Sequence, residues 1–204
     1  MCASQFDGVG GTGEGIPLCE LIKGDVAYGT QIQIRNSAGT YDIYKYLAEC
    51  YDADKDDFVP GWGNVGEELA TLKVAPGTAF WFQAASDCNV SISGEILADS
   101  SKTLNLPANT FSMVSSPYPY AVNPNELTWT GLSYGDQIQV RNAMGTYDIY
   151  KYLQECYDAD KDDFVPGWGN VGEELVAADV IPVAAGVWIK TASAATVKFE
   201  SPVN

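Results

Sequence analysis

Residues 31–69 read QIQIRNSAGTYDIYKYLAECYDADKDDFVPGWGNVGEEL, and residues 137–175 read QIQVRNAMGTYDIYKYLQECYDADKDDFVPGWGNVGEEL. The offset is 106 and 35 of the 39 positions are identical. The exceptions are Ile34/Val140, Ser37/Ala143, Ala38/Met144 and Ala48/Gln154. QIQIR alternates polar and apolar residues with the period of a half-buried strand. Asn36 to Gly39 supplies turn chemistry, and the β-branched, aromatic TYDIYKYL returns as the second strand of a hairpin. Its continuation, AECYD, has room for a short helical turn. The Asp-rich segment and the Pro60-Gly61-Trp62-Gly63 run that follows read as loop, because glycine and proline punctuate them densely.

Working outward, LKVAPGTAFWFQAA and CNVSISGEI add two strands around an Ala-Pro-Gly turn, and VIPVAAGVWIKTA and ATVKFESPV answer them in the second half. With one residue of slip, Trp81 meets Trp188 and Val90 meets Val197. The first unit then ends at Ile96 and the second at Val203, with 97–103 as a polar linker. The fold class read here is all-β: two tandem sandwich- or barrel-like repeat units with pseudo-symmetry, residues 1–98 and 103–204. Residues 1–19 are glycine-rich and read as lead-in. The second unit opens on a plausible strand, Leu104 to Val114. Counting back 106 from it falls before Met1, so the first unit is expected to lack an opening strand, which either leaves an edge for another chain or reflects trimming by processing or cloning, with the gap tolerated at an edge.

Composition narrows the function. A net charge of −16 argues against nucleic acid or anionic lipid as partner, since phosphate recognition needs Lys and Arg. No run of about 20 apolar residues spans a membrane. The first residues lack the basic and apolar regions of a leader, so the chain is either cytoplasmic or a processed product whose leader is absent. Histidine is missing, which removes Ser/His and Cys/His nucleophile pairs. The five cysteines (Cys2, Cys19, Cys50, Cys88, Cys156) show no CxxC spacing. Either a disulfide private to the first half or buried free thiols accounts for them.

The acidic run in each copy is the candidate metal site. Asp52, Asp54, Asp56 and Asp57, with Glu67 behind them, recur as Asp158, Asp160, Asp162, Asp163 and Glu173. Alternate carboxylates on a turning backbone suit calcium, which takes six to eight oxygens. A cation would also relieve the repulsion that Lys55 offsets only once. A solvated acidic turn is the plain alternative. The match to an EF-hand loop is incomplete: its sixth position is Asp57 and its twelfth is Gly63, with Glu67 or Glu68 left to close the shell. Tyr41, Tyr44, Tyr46, Tyr51 and Trp62 form either a sugar-stacking face or sheet packing.

The stretch FSMVSSPYPYAVNPNELTWTGLSYGDQIQVRNAMGTYDIYKY, followed by GVWIK, resembles a β-rich repeat of large secreted and surface proteins of bacteria. The matching residues are Phe111 to Pro119, Asp136 to Asn142, Tyr147 to Tyr152 and Ala75 to Phe82. The first unit departs from the pattern, having Gly-Glu-Gly-Ile-Pro17 in place of Pro-Tyr-Pro. The resemblance implies an extracellular, often tandem all-β module with no established activity. The expectation is a non-enzymatic extracellular structural protein that forms a homo-oligomer or polymer, with calcium at the Asp loops and a neighbouring chain completing the first unit. The alternative is a carbohydrate-binding module with two aromatic and calcium sites.

Overall fold

The computed structural model describes residues 1–8 and 10–202. In the first half the strands are β1 (Cys2–Ala3), β2 (Ile16–Pro17), β3 (Ile22–Gly24), β4 (Gln31–Arg35), β5 (Tyr41–Asp52), β6 (Asp57–Gly63), β7 (Lys73–Val74), β8 (Ala79–Gln83) and β9 (Val90–Ile92). In the second they are β10 (Ser101–Leu106), β11 (Phe111–Ser115), β12 (Thr128–Thr130), β13 (Gln137–Arg141), β14 (Tyr147–Asp158), β15 (Asp163–Gly169), β16 (Gly186–Lys190) and β17 (Ala195–Glu200). Helix is confined to α1 (Leu18–Leu21) and a 3-10 turn at Pro124–Glu126, among the described residues. The fold is all-β, as the alternating and β-branched patterns require.

Two five-stranded antiparallel sheets dominate, ordered β1-β8-β4-β5-β6 and β11-β16-β13-β14-β15. Their registers agree: Gln31 faces Lys45 where Gln137 faces Lys151, and Arg35 faces Tyr41 where Arg141 faces Tyr147. The repeated stretch forms the hairpin at the far side of each sheet. Smaller pairings, β2 with β7, β3 with β9, and β10-β17-β12, cover the sheets. Each half has its own core. Leu18, Leu21, Ile32, Trp62, Val74 and Phe80 pack in the first. Tyr118, Ile138, Trp168, Val187, Val197 and Phe199 pack in the second. Burying each such side chain is worth about 1.5–3 kcal/mol, which is what sets the inward face of each strand.

Four expectations need correction. The first unit does have an opening strand: β1 pairs with β8, Ala3 against Ala79, as β11 pairs with β16, Ser115 against Gly186. The first unit has six more residues between this strand and the repeat, Ala3 to Gln31 against Ser115 to Gln137, so a constant offset of 106 could not find it. AECYD continues β5 rather than forming a helical turn. DFVPGWG is strand β6, not loop. Its Pro60 stands opposite the register shift between Leu47 and Cys50, where the ladder needs no N–H from it. The linker is also shorter than expected, since Leu97 is buried in the second core and β10 begins at Ser101. Val203, the expected end of the second unit, lies outside the described residues.

The lead-in is built around a carboxylate. Asp7, fully buried, accepts hydrogen bonds from the backbone N–H of Gly8 at 2.9 Å, of Gly15 at 2.7 Å, and of Gly13. The glycines let the backbone curl that tightly, with Gly13 and Gly15 both at positive φ.

The halves meet through reciprocal contacts. The Arg35 guanidinium lies 5.5 Å from the Trp188 ring, and Arg141 lies 5.3 Å from the Trp81 ring. Thr78 bridges Val114, and Cys2 bridges Ala185. The Ser115 N–H donates to the Gly77 carbonyl at 2.9 Å, and the Gln5 amide donates to the Tyr118 carbonyl at 2.9 Å.

Candidate functional site

The acidic run is the turn that joins β5 to β6, with Asp52 paired to Asp57 across its base. The Lys55 N–H returns to the Asp52 carbonyl at 3.2 Å, and Asp56 takes φ 50° to close the turn. Asp52 is buried, and its two oxygens are both occupied: Oδ1 accepts from the Asp54 N–H at 3.1 Å, and Oδ2 meets Lys55 Nζ at 2.8 Å. The Lys55 ammonium holds the Asp52 carboxyl below its ordinary range. Asp56 accepts from the Tyr51 hydroxyl at 2.7 Å, and Asp57 accepts from the Phe58 N–H at 2.8 Å. That bond to Asp56 pushes the Tyr51 phenol pKa up. The second copy repeats the arrangement with Asp158, Asp160, Lys161, Asp162 and Asp163.

Glu67 and Glu173 belong to a separate turn. Each sits at φ 60°, and its carbonyl accepts from Tyr51 or Tyr157, respectively, at 2.9 Å. The structure therefore spreads the ten sequence-predicted ligands over cross-braced turns. Among the described residues, no three Asp, Glu, Cys or His side chains gather to hold one metal ion. Calcium would have to displace the ammonium from Asp52 and the phenol from Asp56 to build a shell here.

What these residues do build is a cleft. Asp54, Asn64, Glu68 and Thr71 give it polar walls, and Tyr44 and Tyr51 give it aromatic ones, around a cavity of about 530 Å³. The second copy lines a cavity of about 240 Å³ with Tyr157, Asp158, Asp160, Glu174 and Leu175. These are the counterparts, at +106, of Tyr51, Asp52, Asp54, Glu68 and Leu69. The walls are held from behind. Asn64 Oδ1 accepts from Gly66 at 2.8 Å and Glu68 at 3.1 Å, and its amide reaches the Glu68 carboxylate at 3.1 Å. Asn170 does the same for Glu174. Asn64 was not singled out from sequence, although Asn-Val-Gly is a turn signature that identifies it.

Trp62 is not on this surface. It is 2% exposed and packs its edge against Tyr46, with ring centroids 5.5 Å apart. The packing reading of the aromatics holds for it, while Tyr44 and Tyr51 face the cleft. No cysteine is paired: all five are free, and Cys50 and Cys156 are buried with their thiols 3.3 Å from the Gly61 and Gly167 carbonyls. Burial pushes both thiols up, away from reactivity. Among the described residues, no helix is long and apolar enough to cross a membrane. Comparison with protein families, with curated proteins and with solved structures finds no match for this chain.

Proposed function

We propose that this protein is a non-enzymatic binding module that presents one cleft twice and bridges two glycan-bearing partners in an extracellular assembly. The observation that carries this reading is the recurrence of Tyr51, Asp54 and Glu68, as Tyr157, Asp160 and Glu174, in the lining of equivalent clefts. Carboxylates accept hydroxyl protons and phenol rings cover C–H faces, which is the chemistry a pyranose asks for. The acidic walls favour neutral or amino sugars over acidic ones. Two related sites on one chain convert modest affinity into avidity when both partners are engaged.

Calorimetry against neutral and amino oligosaccharides tests it. Two sites per chain are expected, with Tyr51→Ala and Tyr157→Ala each removing one and the double variant removing both. A panel that gives no heat, or binding indifferent to these tyrosines, ends the reading.

A second reading, self-association, is favoured by apolar residues left in solvent at matching positions. Phe58 and Phe164 are 62% and 60% exposed, and Val65 and Val171 are 89% and 90% exposed. Two like patches on one chain permit open-ended growth. Particle mass measured across concentration, with calcium or with chelator, checks it. A mass that stays monomeric throughout counts against it. The neighbour-supplied strand is not part of this reading, because β1 already occupies that place.

A further inference from the structure

The two large sheets keep their apolar side chains on one face, and cations gather on the other. Ile32, Tyr44 and Phe80 point into the first core, so alternation turns Gln33, Arg35, Ile43, Lys45 and Trp81 outward. Ile138, Tyr150 and Ile189 point into the second core, which turns Gln139, Arg141, Ile149, Lys151, Trp188 and Lys190 outward. The two outer faces adjoin where Arg35 meets Trp188 and Arg141 meets Trp81. Arg35, Lys45, Arg141, Lys151 and Lys190 therefore lie on adjoining faces, in a chain that has eleven Lys and Arg and a net charge of −16. The outward positions of β4, β8, β13 and β16 hold no carboxylate, nor do those of β5 and β14 as far as Leu47 and Leu153.

Their pairing sets these cations apart. Lys55, Lys73, Lys161 and Lys198 each have a carboxylate within 3.2 Å. None of the outer-face cations has one among the described residues, although the chain carries 27 Asp and Glu. Lys45, Arg141, Lys151 and Lys190 are exposed. Many carboxylates stand at the far ends of the same strands. Tyr41 and Tyr147 face the arginines, and β5 and β14 run 12 residues from them to the acidic turns. That is roughly 35 Å of strand. On those turns the exposed Asp57 and Asp163 adjoin Phe58 and Phe164, which are 62% and 60% exposed.

We propose that the outer sheet faces dock the acidic hairpin turn of a second copy of this chain, Asp57 or Asp163 meeting Lys45 or Lys151 while the adjoining phenylalanine covers Ile43 or Ile149. The inference rests on the self-association reading above and supplies the surface that the exposed phenylalanines meet. Complementarity selects the occupant. The face has cations without acids, and the turn has acids whose one lysine, Lys55 or Lys161, is already engaged by Asp52 or Asp158. The face sets an aliphatic side chain beside the lysine, and the turn sets an aromatic one beside the aspartate. A foreign polyanion satisfies the charges but brings no ring. Face and turn are different surfaces, so the contact is heterologous, and two turns per chain permit open-ended growth. Repulsion between like net charges is screened beyond about 8 Å at 0.15 M salt, which leaves the contact charges to decide.

Light scattering of the full chain tests the contact, as mass against concentration at about 0.15 M and about 1 M salt. Mass should rise with concentration at the lower salt and return to the monomer at the higher, where screening sets in at about 3 Å. Lys45→Glu/Lys151→Glu should raise the concentration for half-association at least about tenfold, and so should Asp57→Lys/Asp163→Lys. All four residues are exposed, so the melting curves should stay as they are. Mixed together, the two reversed chains should associate again, because lysine on one turn meets glutamate on the other's face. Should either reversed chain unfold, Lys45→Gln/Lys151→Gln carries the test, with a smaller rise in the same direction. A mass that is monomeric throughout overturns the proposal together with the self-association reading. A mass that rises with concentration but ignores salt and both reversals overturns the proposal alone and leaves the apolar patches. Reversed chains that stay apart on mixing deny the pairing of turn with face. A monomeric chain that binds poly-glutamate through Lys45 and Lys151 gives the face to a foreign acidic partner instead.

Discussion

Asp7 shows how much one buried side chain can organise. Its carboxylate accepts three backbone N–H groups from a glycine-rich loop. Charge-assisted bonds of this kind are stronger than neutral ones, and removing their acceptor strands several buried donors together. Asp7→Ala should therefore cost about 3 kcal/mol, read as a lower urea midpoint with an unchanged slope. Asp7→Asn should cost nearly as much, because it turns an amide N–H toward backbone donors. A loss under about 1 kcal/mol would mean that the loop holds itself. The second half places a comparable group differently. Buried Asp136 accepts from Ser133 and Ala192, each at 2.8 Å, where the first half has Thr30 accepting from Ala85 at 3.2 Å. Neither role was legible in sequence, since a lone Asp among glycines looks the same whether it faces water or backbone.

At the scale of the element, the β5–β6 hairpin and its copy carry the clearest pH signature. The Asp52 and Asp158 pKa values are lowered by hydrogen bonds to Lys55 and Lys161. A carboxyl with a depressed folded pKa contributes stability above its unfolded value, about 4, and loses it as pH falls through the folded value. The melting temperature should decline below about pH 4, and the decline should be shallower in the Lys55→Met/Lys161→Met chain. Calcium at about 1 mM should move the melting temperature by less than about 2 °C, because the turn offers no ready shell; a rise above about 5 °C would show that the turn rearranges around the ion. The strands here were readable where periodicity speaks: QIQIR and TYDIYKYL became β4 and β5 as the alternation requires. Strand β6 was not, because Pro60, Gly61 and Gly63 signal a break. Only the bulge opposite Pro60 makes a strand possible, and a bulge is a property of two paired segments rather than of one. The acidic run drew attention as a ligand set for the same reason. Its spacing suits calcium, but the Asp56 backbone and Tyr51 hydroxyl decide where the carboxylates go.

Across the whole molecule, the joint between halves is the feature that single-strand reading misses. Ala79 and Gly186 begin equivalent strands, β8 and β16, and they meet at that joint. A Cβ placed on Gly186 would fall 2.6 Å from the Ala79 Cβ and 2.7 Å from the Met1 sulfur. Real side chains do not approach that closely, so this pair must include a glycine. Around it the contacts come in matched couples, Arg35 on Trp188 with Arg141 on Trp81, and Thr78 on Val114 with Cys2 on Ala185. Each exposed cation–π contact is worth about 0.5–1 kcal/mol, so the pair together is comparable with the cost of one overpacked methyl, about 1–3 kcal/mol. Gly186→Ala should thus destabilise the joint by that amount, although the residue sits in neither cleft. Met1 is flexible enough to swing aside, whereas Ala79 lies in a strand and is not. Ala79→Gly added to Gly186→Ala should then restore most of the loss, while Ala79→Gly alone should lower stability only through backbone entropy, about 0.5–1 kcal/mol. Denaturant melts of the three variants form a closed cycle whose coupling term isolates the contact. Coupling near zero would place the two strand starts apart, and with them the reciprocal arginine–tryptophan contacts.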